Sequence, residues 1–237
     1  MNSPEANWRD LLNRVNYSNH FSVQRWTEET LNSADLDEAL YIYRDRFANP
    51  GNFTFFFAGN FDVENLKDYT EKYIGGLPVI GKNKTESINL GYRFPFFPIQ
   101  EELKMGTEPK SRTTITYFKR LKNDFDDMYY LDVACDILQV RLRKLLREEM
   151  GSTYSVRVGF KSMQPATSFT ETYISYSNAP KNTETMLKTV KEEIKKLKKF
   201  GPTQDEVDNI INKNLNHREV NLEKNNYWIR KLEKSVK

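Results

Sequence analysis

The residue types best suited to metal or nucleophilic chemistry are scarce in this sequence. Its 237 residues include two histidines, His20 and His217, and a single cysteine, Cys135. Neither histidine has a partner at zinc-ligand spacing, and one cysteine cannot form a structural zinc cluster. A serine or cysteine nucleophile needs a base within hydrogen-bond reach, which two scattered histidines do not supply. We therefore expect surface histidines, a core-packed Cys135, and neither a metal site nor a catalytic residue in this chain.

Two hydrogen-bond donors flank a glycine break in the segment LLREEMGSTYSV, residues 145–156. Arg147 falls near the end of a predicted helix, and Tyr154 falls seven residues later at the start of a predicted strand. Both side chains can therefore project to one surface. A guanidinium and a phenolic hydroxyl donate hydrogen bonds to a peptide carbonyl, and stronger ones to an oxyanion. The residues alone also allow a structural role, with Arg147 paired to a nearby acid and Tyr154 at the edge of the core.

Basic residues cluster in the segment RLRKLLR, residues 141–147, and clustered arginines are able to bind phosphate or nucleic acid. The interleaved leucines favour a helix whose carboxyl end these cations stabilise. Across the chain, 36 basic and 33 acidic residues leave a net charge of +3, which gives no general field for nucleic acid or an anionic membrane. The segment GKNKTES lacks the glycine spacing of a phosphate-binding loop. We expect no nucleic-acid partner.

The apolar content of 38% is sufficient for a globular core, and no apolar run approaches the roughly 18 residues that span a membrane. The opening residues lack the basic start and apolar stretch of a signal peptide. One cysteine excludes an internal disulfide. We therefore expect a globular chain that does not insert into a membrane.

The first part of the chain predicts a helix, a strand and a second helix. Apolar residues recur at helical spacing over residues 33–48, with Ser33 or Asp35 as the cap. The nearly continuous apolar run FTFFFAGNF, residues 53–61, is typical of a strand that is buried on both faces. Asp62 then caps an amphipathic helix that ends in the sequence YIGGLP.

An extended connection is predicted over residues 79–98, which carry glycines, prolines and polar residues. Two short apolar segments follow, LKMG at residues 103–106 and RTTITYF at residues 112–118. The sequence TEPKS between them is typical of a turn. The pattern therefore predicts two strands in a hairpin.

The remaining sequence predicts one long helix, two strands and two further helices. The long helix begins after Asp124 and keeps one apolar face. Residues 153–161 and 168–177 alternate between apolar and polar side chains, which favours an antiparallel pair. Residues 183–200 and 204–234 have helical patterns separated by GPT. Grouped strands and helices predict an α+β fold, an antiparallel sheet with helices packed on one face.

Two segments resemble a known family. Residues 31–78, ending in YIGGLP, resemble the start of the C-terminal module of M16 zinc metallopeptidases, the group of pitrilysin, insulinase and the mitochondrial processing peptidase. Residues 138–156 resemble the second hallmark of that module, a Leu-Arg-Glu segment followed by Gly and Tyr-Ser. The closing segment LEKNNYWIRKLEK is similar to the last helix of PqqL-like bacterial zinc proteases.

The resemblance implies a fold of the LuxS/MPP-like metallohydrolase type. It also implies a division of the chain into a connecting segment over residues 1–32 and an M16 C-terminal-type domain over residues 33–237. Within that domain, residues 33–78 form the first unit, residues 79–98 the connection and residues 99–237 the second half.

In this family an N-terminal module holds the zinc through an inverted His-x-x-Glu-His motif and a distal glutamate, and nothing in this sequence matches that motif. The C-terminal repeat is inactive and supplies an arginine and a tyrosine, seven residues apart, that reach the substrate. Arg147 and Tyr154 fall on those positions. The resemblance implies a peptide substrate, a zinc-bearing N-terminal module in the same chain or a partner subunit, and, by analogy, a periplasmic parent protein. A proteolytically inactive scaffold module is the alternative.

Overall fold

The strands of the described residues form one three-stranded antiparallel sheet. The computed structural model describes residues 3–79, 89–120, 125–149, 155–162 and 169–236. Within these ranges the strands are β1 (Ser111–Arg120), β2 (Val156–Ser162) and β3 (Phe169–Asn178). The α-helices are α1 (Pro4–Asn16), α2 (Glu28–Asn32), α3 (Leu36–Phe47), α4 (Val63–Thr70), α5 (Phe125–Lys144), α6 (Thr183–Phe200), α7 (Gln204–Leu222) and α8 (Asn225–Ser235). Single π-helical turns, Glu71–Gly75 and Leu145–Glu149, follow α4 and α5.

The chain forms two compact units, each built from two segments that are distant in sequence. Residues 1–25 and 87–212 form the first unit, and residues 26–86 and 213–237 form the second. The predicted boundary at residue 33 stays a prediction. Among the described residues, no helix combines the length and the apolar character that a membrane span requires.

The sheet of the first unit has the strand order β1-β3-β2, so β3 is central. Both neighbours run antiparallel to it, and Ile174 of β3 pairs with Ile115 on one side and Val158 on the other. Alternation places these three apolar side chains on one face. The predicted antiparallel pairing of the two later strands is confirmed.

The core of this unit lies between the sheet and the helices α5 and α6. Leu142 of α5 and Leu146 of the π-helical turn that follows it are fully buried, as are Met186 and Val190 of α6, and all four pack in one cluster with Ile174. Full burial of one such side chain contributes roughly 1.5–3 kcal/mol. The α+β prediction, an antiparallel sheet with long helices on one face, is confirmed.

The other face of the sheet carries an aromatic cluster below the end of α1. Tyr17 makes edge contacts with Phe94 and Phe118, at centroid distances of 6.1 and 6.2 Å. Its hydroxyl donates a hydrogen bond to the buried carboxylate of Glu171 on β3. Burial and this carboxylate raise the pKa of Tyr17, so the phenol remains a donor.

Helix α5 is tied to the helices that follow it by Arg141. Its Nε lies 2.6 Å from Oε1 of Glu206 at the start of α7, and its Nη1 lies 3.1 Å from Oε1 of Glu193 on α6. Its Nη2 also donates to the carbonyl oxygen of Gly201, at 3.3 Å. One guanidinium thus fixes the turn between α6 and α7.

The second unit confirms the helix starts that the sequence predicts. Asp35 caps α3 and accepts hydrogen bonds from the backbone N–H of Asp37 and Glu38, at 2.8 and 3.1 Å. Asp62 caps α4 and accepts from the N–H of Asn65 at 2.9 Å. Each carboxylate satisfies amides that a helix start leaves unpaired.

The predicted strand over residues 53–61 is wrong, because this segment forms no strand and is not buried. Phe53, Phe55 and Phe57 are 39%, 47% and 43% exposed. A strand needs a second backbone to pair with its N–H and C=O groups, and the described residues of this unit contain no strand. An aromatic-rich segment has a high strand propensity, but this propensity does not provide a neighbouring strand to pair with.

The predicted hairpin is also wrong in its first strand. Residues 103–106 form no strand, whereas RTTITYF lies in β1 as predicted. Met105 instead accepts a hydrogen bond through its Sδ from Nδ2 of Asn7 on α1, at 3.2 Å. Gly106 has a φ of +89°, which turns the chain away from extended pairing. The strand that pairs with β1 is β3.

Candidate functional site

Arg147 lies in the π-helical turn that follows α5. Its side chain is exposed, while the adjacent Leu146 is fully buried in the core. The buried leucine fixes the turn against the sheet and leaves the guanidinium on the outside, as the sequence predicts. Single π-turns of this kind occur frequently at functional sites. Tyr154 lies outside the described residues, so the predicted convergence of these two side chains stays a prediction.

A pocket of about 440 Å³ runs along the outer edge of β2, the edge that does not pair with β3. Its lining residues come from α5, from β2 and the residue before it, and from β3: Gln139, Arg143, Ser155, Val156, Arg157, Val158 and Tyr173. Gln139 and Arg143 are four residues apart and so lie on one side of α5. Arg147 follows Arg143 by four residues, and Ser155 follows Tyr154 directly. Both predicted site residues are thus sequence neighbours of this pocket.

Gln139 connects the helix and the strand that line the pocket. Its side-chain Oε1 accepts a hydrogen bond from the backbone N–H of Val158, at 3.0 Å. This bond joins α5 to β2 and provides a hydrogen-bond acceptor for an amide that points away from the sheet. Sequence reasoning missed Gln139, because a glutamine on a helix gives no signal of the strand amide that it caps.

Tyr173 reaches the pocket because its partner on β2 is a glycine. Gly159 lies opposite Tyr173 in the register. A Cβ atom at Gly159 would lie 2.9 Å from the Tyr173 hydroxyl oxygen and 3.1 Å from Cζ. The missing side chain therefore lets the tyrosine ring lie across β2, an arrangement known for glycines in sheets.

Two arginines give the pocket its positive charge. Arg143 and Arg157 are both exposed, and among the described residues neither forms an ion pair with a carboxylate. Arg141, two residues before Arg143, is held by two glutamates. The basic cluster predicted from RLRKLLR therefore contains one structural arginine and two exposed ones, Arg143 and Arg147. Arg157 was missed because a single arginine in an alternating strand is an ordinary surface residue.

The described residues do not fit a zinc site. No group of three histidine, cysteine or carboxylate side chains is close enough to hold a metal in the part of the chain that the structure describes. His20 is half-buried, with its ring nitrogens 2.9 Å from Ser22 Oγ and 2.6 Å from the carbonyl oxygen of Leu90. His217 is exposed on α7, which confirms its predicted surface position.

Cys135 is buried on α5, which confirms its predicted packing role. Burial raises the pKa of its thiol to about 11, and the nearby Asp132 and Asp136 act in the same direction. The thiol therefore stays protonated at neutral pH, which makes it a poor nucleophile and a poor metal ligand.

Residues 36–214 match the family described as the peptidase M16 inactive domain, and the chain belongs to this family. It is similar to two curated relatives. The "Zinc protease PQQL-like" of Arabidopsis thaliana is 22% identical over 97% of this chain and 25% of the relative. The "Probable zinc protease PqqL" of Haemophilus influenzae is 22% identical over 76% of this chain and 19% of the relative. The chain thus spans a quarter or less of these proteins.

Solved structures share the fold. The periplasmic protease PqqL from Escherichia coli matches with a TM-score of 0.77 and 16% identity, over 98% of this chain and 26% of that one. An M16 inactive domain from Pseudomonas fluorescens matches with a TM-score of 0.66 and 19% identity, over 88% and 50% of the two chains. The ferredoxin protease FusC, a variant solved with Arabidopsis ferredoxin, matches with a TM-score of 0.67 and 14% identity, over 93% and 24%. The predicted M16 membership and its PqqL-like character are confirmed.

Proposed function

We propose that this chain is a noncatalytic module that contacts the substrate of an M16-type zinc peptidase, whose zinc is held by another module. The observation that carries the proposal is the position of Arg147. It is exposed at the end of α5, beyond an open pocket whose arginines have no ion-pair partner among the described residues. Arg141, six residues earlier, has a structural role and is held by two glutamates.

In this proposal the chain binds and orients a peptide and performs no bond cleavage itself. Arg147 and Tyr154 donate hydrogen bonds to a peptide carbonyl oxygen, and these bonds strengthen as negative charge develops on that oxygen. A zinc ion held by the other module would supply the activated water.

The peptide substrate, the zinc-bearing module and a periplasmic location are parts of the same proposal. Family membership and the relatives named zinc proteases support the first two, and a structural relative named as a periplasmic protease supports the third. The full-length sequence gives a direct check, because a parent peptidase must carry the His-x-x-Glu-His motif in another module. A parent without that motif would be the proteolytically inactive scaffold.

The kinetic test uses Arg147→Ala and Tyr154→Phe in the full-length protein. Loss of one donor to a developing oxyanion typically lowers turnover by about 10²-fold or more. We expect that loss in each variant, measured with a fluorogenic peptide, while the unfolding midpoint changes little. Arg9→Ala is the matched control, because Arg9 is an exposed arginine on α1 and does not line the pocket. Unchanged kinetics in both variants would refute the proposed contact.

A further inference from the structure

We propose that the pocket along the outer edge of β2 is a carboxylate-binding subsite in which Arg143 and Arg157 hold an acidic group of the bound peptide. The inference rests on the proposed function for the peptide nature of the ligand. The chemical selectivity follows from the pocket itself.

Arg143 and Arg157 line the pocket from different elements. Arg143 comes from α5, the helix that covers the core face of the sheet. Arg157 alternates with Val156 and Val158, and Val156 is buried in the core, so Arg157 belongs to the opposite face. A carboxylate at the strand edge can therefore meet donors from both faces. Arginine is well suited to this task, since its planar fork binds a carboxylate through two parallel hydrogen bonds.

Among the described residues, the lining of the pocket carries positive charge and no negative charge. In the described part of the chain no acid pairs with Arg143 or Arg157, and no acidic residue lines the pocket. Two neighbouring cations without a counterion repel each other, and an anionic ligand removes that repulsion. The volume of about 440 Å³ exceeds what a single carboxylate fills and is in the range of sites that take a side chain or a chain end.

A peptide cannot bind in this pocket by adding a continuous strand to the edge of β2. Strand addition would require the outward N–H groups of β2, and Gln139 already occupies that of Val158 at 3.0 Å. The polar side chains that remain are chiefly donors, the two arginines and the hydroxyl of Tyr173. Donors without acidic acceptors select an acceptor-rich group, and a carboxylate is the acceptor-rich group that peptides carry.

The test measures binding of three labelled peptides to the full-length protein, with metal removed by a chelator to prevent cleavage. The first is a blocked alanine–glutamate peptide. The second is its blocked alanine–glutamine counterpart. The third is the glutamine peptide with a free C-terminal carboxylate. We expect the glutamate peptide or the free-terminus peptide to bind about tenfold more tightly than the blocked glutamine peptide, a difference of about 1.4 kcal/mol, because a hydrogen bond to a charged group is stronger than one to a neutral amide. Which of the two binds tightly identifies the source of the carboxylate.

Arg143→Gln and Arg157→Gln should each reduce this preference, and the double variant should remove it. Arg9→Gln, which also removes one exposed arginine, should retain it. Equal binding of all three peptides to the unmodified protein, or a preference that survives in the double variant, would overturn the subsite. Displacement of the glutamate peptide by a short oligonucleotide, at concentrations below those of unlabelled peptide, would assign the pocket to nucleic acid and would also overturn it.

The outcome is separable from that of the proposed function. Arg147→Ala and Tyr154→Phe test turnover of any peptide, whereas the pocket variants test discrimination between charged and neutral peptides. Loss of charge preference with unchanged turnover in the first pair would support the subsite and refute the proposed donors. Charge preference that survives in the pocket variants, together with reduced turnover of Arg147→Ala and Tyr154→Phe, would refute the subsite alone.

Discussion

At the scale of single residues, three arginines on the same stretch of helix have different environments. Arg141 binds two glutamates, whereas Arg143 lines the pocket and Arg147 is exposed beyond it. Side-chain type does not distinguish them. Their roles depend on which element faces each position, so a basic run is informative only after its partners are known.

The pairing of Arg141 with Glu206 predicts a pH-dependent contribution to stability. The hydrogen bonds from Arg141 and Thr203 lower the pKa of Glu206 to about 2, against burial, which acts to raise it. A carboxyl with a lowered pKa in the folded state stabilises the protein above its unfolded pKa of 4.5, and this contribution is lost as pH falls toward 2. Glu206→Gln should therefore lower the free energy of unfolding at pH 7 by about 1–3 kcal/mol.

Urea unfolding of the protein and the Glu206→Gln variant, measured between pH 7 and pH 2, checks this prediction. The difference between the two should be constant above about pH 5 and should shrink below it. Glu192→Gln is the control, because Glu192 is exposed on α6 and has no ion pair among those found in the described residues. A difference that persists at pH 2 would show that packing, and not the charge, is responsible.

At the scale of elements, the pairing of Gly159 with Tyr173 shapes the pocket at the edge of β2. Gly159→Ala would place a Cβ 3.1 Å from Cζ of Tyr173, so the ring would have to move. We expect a loss of stability that depends on the tyrosine. In a Tyr173→Ala background the same glycine substitution should cost much less, with a coupling energy of about 0.5–3 kcal/mol.

A double-mutant cycle of unfolding free energies measures that coupling. Gly201→Ala is not a suitable control, because Gly201 has a φ of +72° and any side chain there is strained. Gly75→Ala is preferable, since the nearest atom to its added Cβ is a backbone oxygen at 3.8 Å. Additive effects of Gly159→Ala and Tyr173→Ala would contradict the proposed packing.

At the scale of the whole molecule, the question is whether this chain can act alone. Catalytic zinc sites use three protein ligands, and the described residues offer no such group. We expect the purified chain, supplied with zinc, to leave a fluorogenic peptide uncut, and expect hydrolysis only when the proposed zinc-bearing module is also present. Zinc-dependent hydrolysis by this chain alone, abolished by a chelator, would contradict the prediction.

The sequence by itself determined the features that depend on neighbouring residues. Helical periodicity identified α3 and α4, and Asp35 and Asp62 were recognisable as caps because a cap bonds to amides two or three residues away. Alternation identified β2 and β3. The two family-like segments led to the M16 family without any knowledge of coordinates.

Only the tertiary structure decided which distant residues meet. It pairs β1 with β3, leaves residues 53–61 outside any strand, and assigns Arg141 to a glutamate 65 residues away. It also brings Arg143 and Arg157 to one pocket from different elements. Side-chain periodicity and helix capping depend on residues only a few positions apart. Strand pairing and long-range ion pairing depend on the tertiary fold, which local composition does not specify.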